Sequence, residues 1–287
     1  MVASAFDYHA PSTVEEALAL LNDDADAKVL AGGHSLIPMM KLRLSEPSAL
    51  VDIGKISGLS YINESGGALA IGGTTSYYDI INSDAVQQNA PVIAEAAAIV
   101  ADPQVRNMGT IGGSLAHADP AADLPAVMLA LGAEIVATSA GGSRTISADD
   151  FFVDLFTTAL EPNEILTEVR IPAQGAGSGA AYAKMANKAS HFAIVGVAAS
   201  VTVSGGSVTA ARIGVTGSGS SASRASDSEA RLVGSSGDAD AIRSAAGRAS
   251  NGIEMNEDIH ASAEYREHLT KVYALRAITA AVERASG

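Results

Sequence analysis

Residues 29–44, VLAGGHSLIPMMKLRL, set a Gly–Gly pair, a histidine and a serine between a short apolar run and a mixed apolar and basic segment. Glycine tolerates φ > 0 and lets another group approach the backbone, because no Cβ stands in the way. Successive N–H groups in such a turn can converge on an anion. A similar pattern returns at residues 110–116, TIGGSLA, so Ser35 and Ser114 each add a hydroxyl beside a glycine pair. Two such loops could clamp a diphosphate. Read singly, a Gly–Gly pair is a tight turn at a strand end, and Gly72–Gly73 is read that way. Neither loop has the G-x-G-x-x-G spacing of a Rossmann turn.

Composition narrows what such loops can serve. The chain has 287 residues, 47% of them apolar, enough for a sizeable core in one or two domains, and two is the expectation. The net charge of −14 disfavours nucleic acid or an anionic membrane, since a polyphosphate would be repelled over most of the surface. Any phosphate must then be held locally. No cysteine is present, which removes disulfides, thiolate catalysis and Cys-ligated iron–sulfur or zinc sites from this chain. Redox chemistry here requires an organic cofactor. No apolar run reaches the roughly 18 residues of a membrane span, and the N-terminus does not read as a secretory signal.

Working outward, PSTVEEALALL reads as a helix capped by Ser12 with Glu15 completing a capping box. KVLA, ALVDIG and ALAIGG read as strands, and APVIAEAAAIVA as a helix ending before Pro103. The segment NMGTIGGSLAHADPAADLPAVMLALG reads as a turn-rich loop feeding a helix, with Asp123 as N-cap, Pro125 in the first turn and Gly132 as stop. AEIVATS and TEVRIP follow as strands. PAQGAGSGA has linker composition and places a domain boundary near residue 175. Beyond it come three strands, a Gly/Ser-rich stretch and two helical patterns.

AGGHSLIPMMKLRL, VDIG, RNMGTIGGSLAHADPAADLPA, FFVDLFTTAL and EILTEVRIP together resemble the FAD-binding medium subunit of the molybdenum hydroxylases, the carbon monoxide dehydrogenase branch in particular. The resemblance runs from FDYHAPST to the C-terminus. It implies an α+β fold: a two-part FAD-binding domain of the flavin dehydrogenase (PCMH) type over residues 1–175, split near 55–60, then a smaller α+β domain over 176–287 with a short antiparallel sheet and helices. It implies that Ala31, Gly32, Gly33, His34 and Ser35, with Thr110, Ile111, Gly112, Gly113 and Ser114, bind the FAD diphosphate. Asp123, Leu166 and Lys184 match further FAD-contacting positions, and Phe192 falls where relatives place an aromatic near the flavin. Two departures stand out: Ser114 where Asn is common, and Phe192 where Tyr is frequent. The latter keeps packing and loses a hydrogen-bonding tip.

Each of these residues also has a plain reading. An N-cap aspartate contributes about 1 kcal/mol without any ligand. Lys184 on a strand is solvent-exposed by default, and Phe192 belongs by default to a core. His34 either hydrogen-bonds near a non-covalent cofactor or, as in some flavin oxidases, carries it covalently. His117, Asp119 and His191 lack a metal-ligand spacing, and no G-x-S-x-G elbow is present.

The resemblance further implies an oxidoreductase subunit with no catalytic residue of its own. It would relay electrons from the [2Fe-2S] clusters of a small partner to an acceptor such as a quinone, while a large partner carries the molybdenum cofactor. The assembly would be a dimer of heterotrimers, cytoplasmic or resting on the inner face of the membrane. The rivals are a self-contained flavin oxidase attached at His34, a medium subunit for another substrate such as an N-heterocycle, and a non-catalytic interaction module.

Overall fold

The computed structural model describes residues 2–287. The first sheet is parallel, with order β1–β3–β2: β1 (Asp7–His9), β2 (Lys28–Leu30) and β3 (Ala49–Asp52). Its crossovers carry α1 (Val14–Asp23) and α2 (Leu36–Lys41). Ala17, Leu18 and Leu21 of α1 pack on Val51 and Ile53 as a small separate core. The cap of α1 is Thr13, which accepts from the Glu16 N–H, while Glu16 reaches back to the Ser12 N–H and hydroxyl. The capping box therefore sits one residue later than Ser12 and Glu15 predict. Thr13 and Glu16 fit the Ncap and N3 positions equally well.

A second, five-stranded antiparallel sheet follows, with β4 (Ile62–Ser65), β5 (Ala68–Gly72), β6 (Glu134–Ser139), β7 (Gly142–Ser147) and β10 (Ile165–Ile171) in the order β4–β5–β10–β6–β7. Between β5 and β6 run α3 (Tyr77–Ile81), α4 (Asp84–Asn89), α5 (Pro91–Ala98), α6 (Pro103–Met108), α7 (Ile111–His117) and α8 (Asp123–Leu131). After β7 come α9 (Ala148–Phe151) and a hairpin of β8 (Phe152–Asp154) and β9 (Thr157–Thr158). All nine residues of α8 are buried. A helix apolar on every side must be enclosed on every side.

The enclosing surface is the third sheet, β11 (Ser178–Ala186), β12 (Ala193–Ser204), β13 (Ser207–Thr216) and β14 (Ser223–Arg224), antiparallel and in chain order. A Cβ on Gly214 of β13 would collide with the Ala126 carbonyl of α8, so glycine is what lets helix and sheet touch. Behind the sheet lie α10 (Ser226–Leu232), α11 (Ala239–Ala246) and the long α12 (Ala263–Ser286). Gly179 of β11 likewise meets α12 backbone, where Ala274, Ala277 and Ala281 are fully buried. With no tryptophan and 4% aromatic residues, the chain fills space by close backbone approach rather than by large side chains.

Candidate functional site

A cleft of about 830 Å³ opens where β2 ends, within the size range of cofactor pockets. Residues 31–35 and 109–114 form its floor, and residues 100–105, 156–166 and 189–192 its walls.

The two glycine loops meet along this floor. A Cβ on Gly32 would strike the Met108 carbonyl and stand 2.9 Å from Gly109 Cα, while one on Gly113 would lie 3.9 Å from Ala31 Cβ. Gly33 sits at φ +71°, where its missing side chain avoids strain. Among the described residues, the N–H groups of Gly32, Gly33, His34 and Ser35 find no protein acceptor. The His34 ring turns back, its Nδ1 2.8 Å from the Gly32 carbonyl, and its side of the loop is exposed.

The second loop differs from its expected form. Residues 111–117 are helix, with Thr110 as N-cap, so the glycines fill its first turn. Their donors are already used. Ile111 N–H goes to the Thr75 carbonyl at 3.0 Å, Gly112 N–H to the Gly73 carbonyl at 2.9 Å, Gly113 N–H to the Thr110 hydroxyl at 3.1 Å and Ser114 N–H to the Thr110 carbonyl at 3.1 Å. A Cβ on Gly112 would collide with the Gly73 carbonyl, and one on Gly73 with the Leu166 carbonyl. Gly72–Gly73 is a turn, closed by Thr75 N–H to Gly72 carbonyl at 3.0 Å, yet its chief role is to let three backbones cross.

Asp123 is the first residue of α8, not its N-cap; Ala122 holds that place without a side-chain bond. The carboxylate instead turns into the protein, where Tyr182 donates to it at 2.6 Å and Lys184 at 3.0 Å. Asp123 and Lys184 side chains are each only 4% exposed, which overturns the default of a solvent-exposed strand lysine. Burial pushes the Asp123 carboxyl up, opposed by the Lys184 charge and the Tyr182 hydroxyl. The Lys184 ammonium also donates at 2.8 Å to the Ile99 carbonyl and at 2.8 Å to the His191 carbonyl. Its three donors are thereby spent on α8 and on both walls of the cleft. Asp123 lines the cleft, and Lys184 stands behind it.

Leu166 and Phe192 also line the cleft. Phe192 is 46% exposed, so it is not a core residue. Opposite, the Phe156 ring lies 5.0 Å from that of His117, whose pKa burial lowers below 6.5. Ala101 (φ +41°), Phe156 (φ +51°) and His191 (φ +63°) border this space in left-handed backbone conformations that side-chain-bearing residues rarely adopt. Such strain gathers where a binding site over-determines the backbone. Among the described residues, no three His, Cys, Asp or Glu side chains are grouped as metal ligands.

Two polar residues escaped the sequence reading. Tyr182 lies two positions before Lys184, on the same face of β11, and that period of two was the available signal. Tyr77 follows the glycine pair at 72–73, which read only as a turn.

A two-part α+β domain with a glycine-floored cleft, bordered at residues 189–192 by a second domain, is the form of a flavoprotein subunit of the dehydrogenase type. Residues 4–174 match the family described as FAD binding domain in molybdopterin dehydrogenase, and residues 180–281 match the CO dehydrogenase flavoprotein C-terminal domain. The chain belongs to this family of FAD-binding subunits of molybdenum hydroxylases. It is 42% identical over 285 residues to the carbon monoxide dehydrogenase medium chain of Hydrogenophaga pseudoflava, covering 99% of each. It is also 42% identical to the 6-hydroxypseudooxynicotine dehydrogenase complex subunit alpha of Paenarthrobacter nicotinovorans, covering 99% of this chain and 97% of that one. The solved Hydrogenophaga carbon monoxide dehydrogenase lacking the Mo-pyranopterin moiety superposes with TM-score 0.96 at 44% identity, covering 99% of both chains.

Proposed function

We propose that the chain is the electron-relaying FAD subunit of a three-subunit molybdenum dehydrogenase that oxidises carbon monoxide. The observation that carries this reading is the open set of N–H donors at Gly32–Ser35 on the floor of a cofactor-sized cleft. Such a nest fits a diphosphate in a chain of net charge −14, because backbone dipoles hold the anion without lysines or arginines.

In this reading residues 1–175 cradle the FAD and residues 176–287 close the cleft and dock partners. Ala31–Ser35 give N–H groups to the diphosphate, and Thr110, Ile111, Gly112, Gly113 and Ser114 give it a close-fitting floor and the Ser114 hydroxyl. Asp123 and the Leu166 backbone hold further polar atoms, Phe192 packs beside the ring system, and Lys184 holds Asp123. His34 turns its Nδ1 to the Gly32 carbonyl, and in this reading it holds the loop beside a non-covalent FAD rather than carrying the flavin. When bound, FAD would supply the redox chemistry, exchange of single electrons with a partner's [2Fe-2S] clusters and of electron pairs with an acceptor such as a quinone. The chain positions and shields it. Molybdenum cofactor and clusters belong to a large and a small partner, consistent with the absence of cysteine here.

The assembly is proposed as a cytoplasmic dimer of heterotrimers, resting at most on the membrane's inner face; among the described residues no helix is long and apolar enough to cross a membrane. A second reading has one specific support. Identity to the 6-hydroxypseudooxynicotine enzyme equals that to the carbon monoxide enzyme, so a nitrogenous organic substrate serves the same medium-subunit architecture.

The test is purification of the tagged chain from its native host, with the flavin spectrum taken before and after acid precipitation. FAD freed into the supernatant, alongside an iron–sulfur and a molybdenum chain, supports the reading. Flavin kept on a lone pellet would sink it and make His34 the attachment point. Assay of the purified complex with carbon monoxide and with N-heterocycles then decides the substrate.

A further inference from the structure

Tyr77 is 6% exposed and forms part of the cleft wall. It sits just after Ser76, which pairs with Thr110 across an antiparallel bridge flanked by two hydrogen bonds: Tyr77 N–H to the Gly109 carbonyl at 3.0 Å, and Ile111 N–H to the Thr75 carbonyl at 3.0 Å. The second glycine loop is thus held from behind by the segment that carries Tyr77. The ring packs against Gly109, where a Cβ would stand 2.8 Å from Tyr77 Cε2 and 3.1 Å from Cδ2. Backbone and ring are therefore fixed, and the phenol has one place to be.

Its hydroxyl oxygen takes a hydrogen bond from the Ser114 hydroxyl, which leaves its own proton to donate. Among the described residues no carbonyl or carboxylate accepts that proton, although the O–H of a largely buried tyrosine ordinarily finds an acceptor. Thr74, three residues earlier, has an orphaned hydroxyl, but it is fully enclosed where no ligand reaches it. Tyr77 borders the cleft, as does Ser114 beside it. Burial pushes the phenol up to about 12, the hydrogen bond from Ser114 counteracting this in part and the charge of Asp123 adding to it. The group is a neutral donor throughout the physiological range.

We infer that Tyr77 is a cofactor-binding residue, whose phenol O–H donates a hydrogen bond to an acceptor atom of the FAD between the two glycine loops. This rests on the FAD reading above and adds a contact that the glycine motifs do not contain. A neutral donor suits an uncharged acceptor, such as a carbonyl or ring nitrogen of the isoalloxazine or a ribityl hydroxyl. It adds no positive charge to a floor that already offers the backbone nest for the diphosphate.

The test uses the full chain freed of flavin and titrated with FAD, comparing the wild type with Tyr77→Phe, which keeps the ring on Gly109 and removes one oxygen. The expected result is roughly tenfold weaker FAD binding, the worth of one hydrogen bond. The unfolding midpoint of the FAD-free variant should change little, because the Ser114 hydroxyl that loses the phenol borders the open cleft and can turn to water. A merely structural tyrosine would lower both together, and that result would overturn the inference. So would a Phe variant that binds FAD as tightly as the wild type. A wild type that takes up no FAD would instead sink the reading on which the inference rests. With binding weakened, the midpoint potential of the bound flavin locates the acceptor: a shift places the phenol against the ring system, and an unchanged value places it against the ribityl chain.

Discussion

The loops at residues 30–36 and 110–116 share a pattern of glycine pair and hydroxyl, yet they do opposite things with their backbone. The first leaves four consecutive N–H groups without protein acceptors. The second has committed those of Ile111, Gly112, Gly113 and Ser114 to Thr75, Gly73 and Thr110. The difference comes from what lies behind each loop. Behind the second stands the bridge at Ser76, and Thr110 caps its helix. Ser35 precedes α2 without any capping hydrogen bond. The glycines are accordingly needed for different reasons: in the first loop for conformation and approach, in the second for the crossing of backbones. A paired motif in sequence need not be a symmetric clamp in space.

The strongest way to break that contrast is to remove the brace beside the second loop. Lys184→Met strands the Asp123 carboxylate, 4% exposed, without its counter-charge. A loss of about 3–5 kcal/mol is expected in urea unfolding of the FAD-free chain. Much of it should return in the Asp123→Asn, Lys184→Met double variant, because no buried charge is then left unpaired. Additive losses would mean that the ammonium serves mainly its two carbonyls.

Next in size, the loops should respond differently to a single methyl group. Gly112→Ala drives a Cβ into the Gly73 carbonyl, backbone against backbone, and should cost about 3 kcal/mol of stability. Gly33→Ala meets only side-chain carbons, Ile37 Cγ1 at 3.1 Å and Leu30 Cδ1 at 3.2 Å, but must hold φ +71°, for about 1 kcal/mol. Its larger effect should be on FAD affinity, since the open donors move with it. Equal stability losses in the two variants would erase the proposed division between floor and nest.

The smallest effect lies at the end of α7. Burial holds His117 below 6.5, so the unfolded chain binds a proton more readily than the folded one. That stabilisation is complete above the unfolded value and is lost as pH falls through the folded one. Urea unfolding at about pH 7.5 and about pH 5.5 should show a shallower loss in His117→Phe than in the wild type. An identical slope would mean that the cleft end of the second loop is open enough to hydrate the imidazolium.

Much of this was legible in the residues. Gly132 closes α8 at φ +65° as a helix-stopping glycine should, and the strand segments fall where their apolar runs predict, whereas Pro103, read only as a helix stop, opens a helix of its own behind the Asp102 cap. What escaped reading depends on partners distant in sequence. Asp123 looks like a cap by local rules, because its true partners Tyr182 and Lys184 lie on a strand of the other domain. Lys184 looks exposed because the aspartate that buries it comes 61 residues earlier. The second loop looks open because the acceptors for its N–H groups include carbonyls of Gly73 and Thr75, in a segment whose own glycines read as a turn. Local pattern reveals where a backbone can bend, and only the folded neighbours decide whether its donors remain available.

The helix α8, buried along its whole length, carries a consequence for dissection of the molecule. Its side chains serve two owners: one face completes the half that holds the cleft, the other rests on β12 and β13, with Ala198 in the same apolar cluster. A chain cut after residue 174 would leave that second face wet, an oily stripe rather than a surface. The halves are thus not interchangeable modules. Swapping a C-terminal half from a relative means recutting the seat for α8, with a glycine kept opposite Ala126, before any question of partner docking arises.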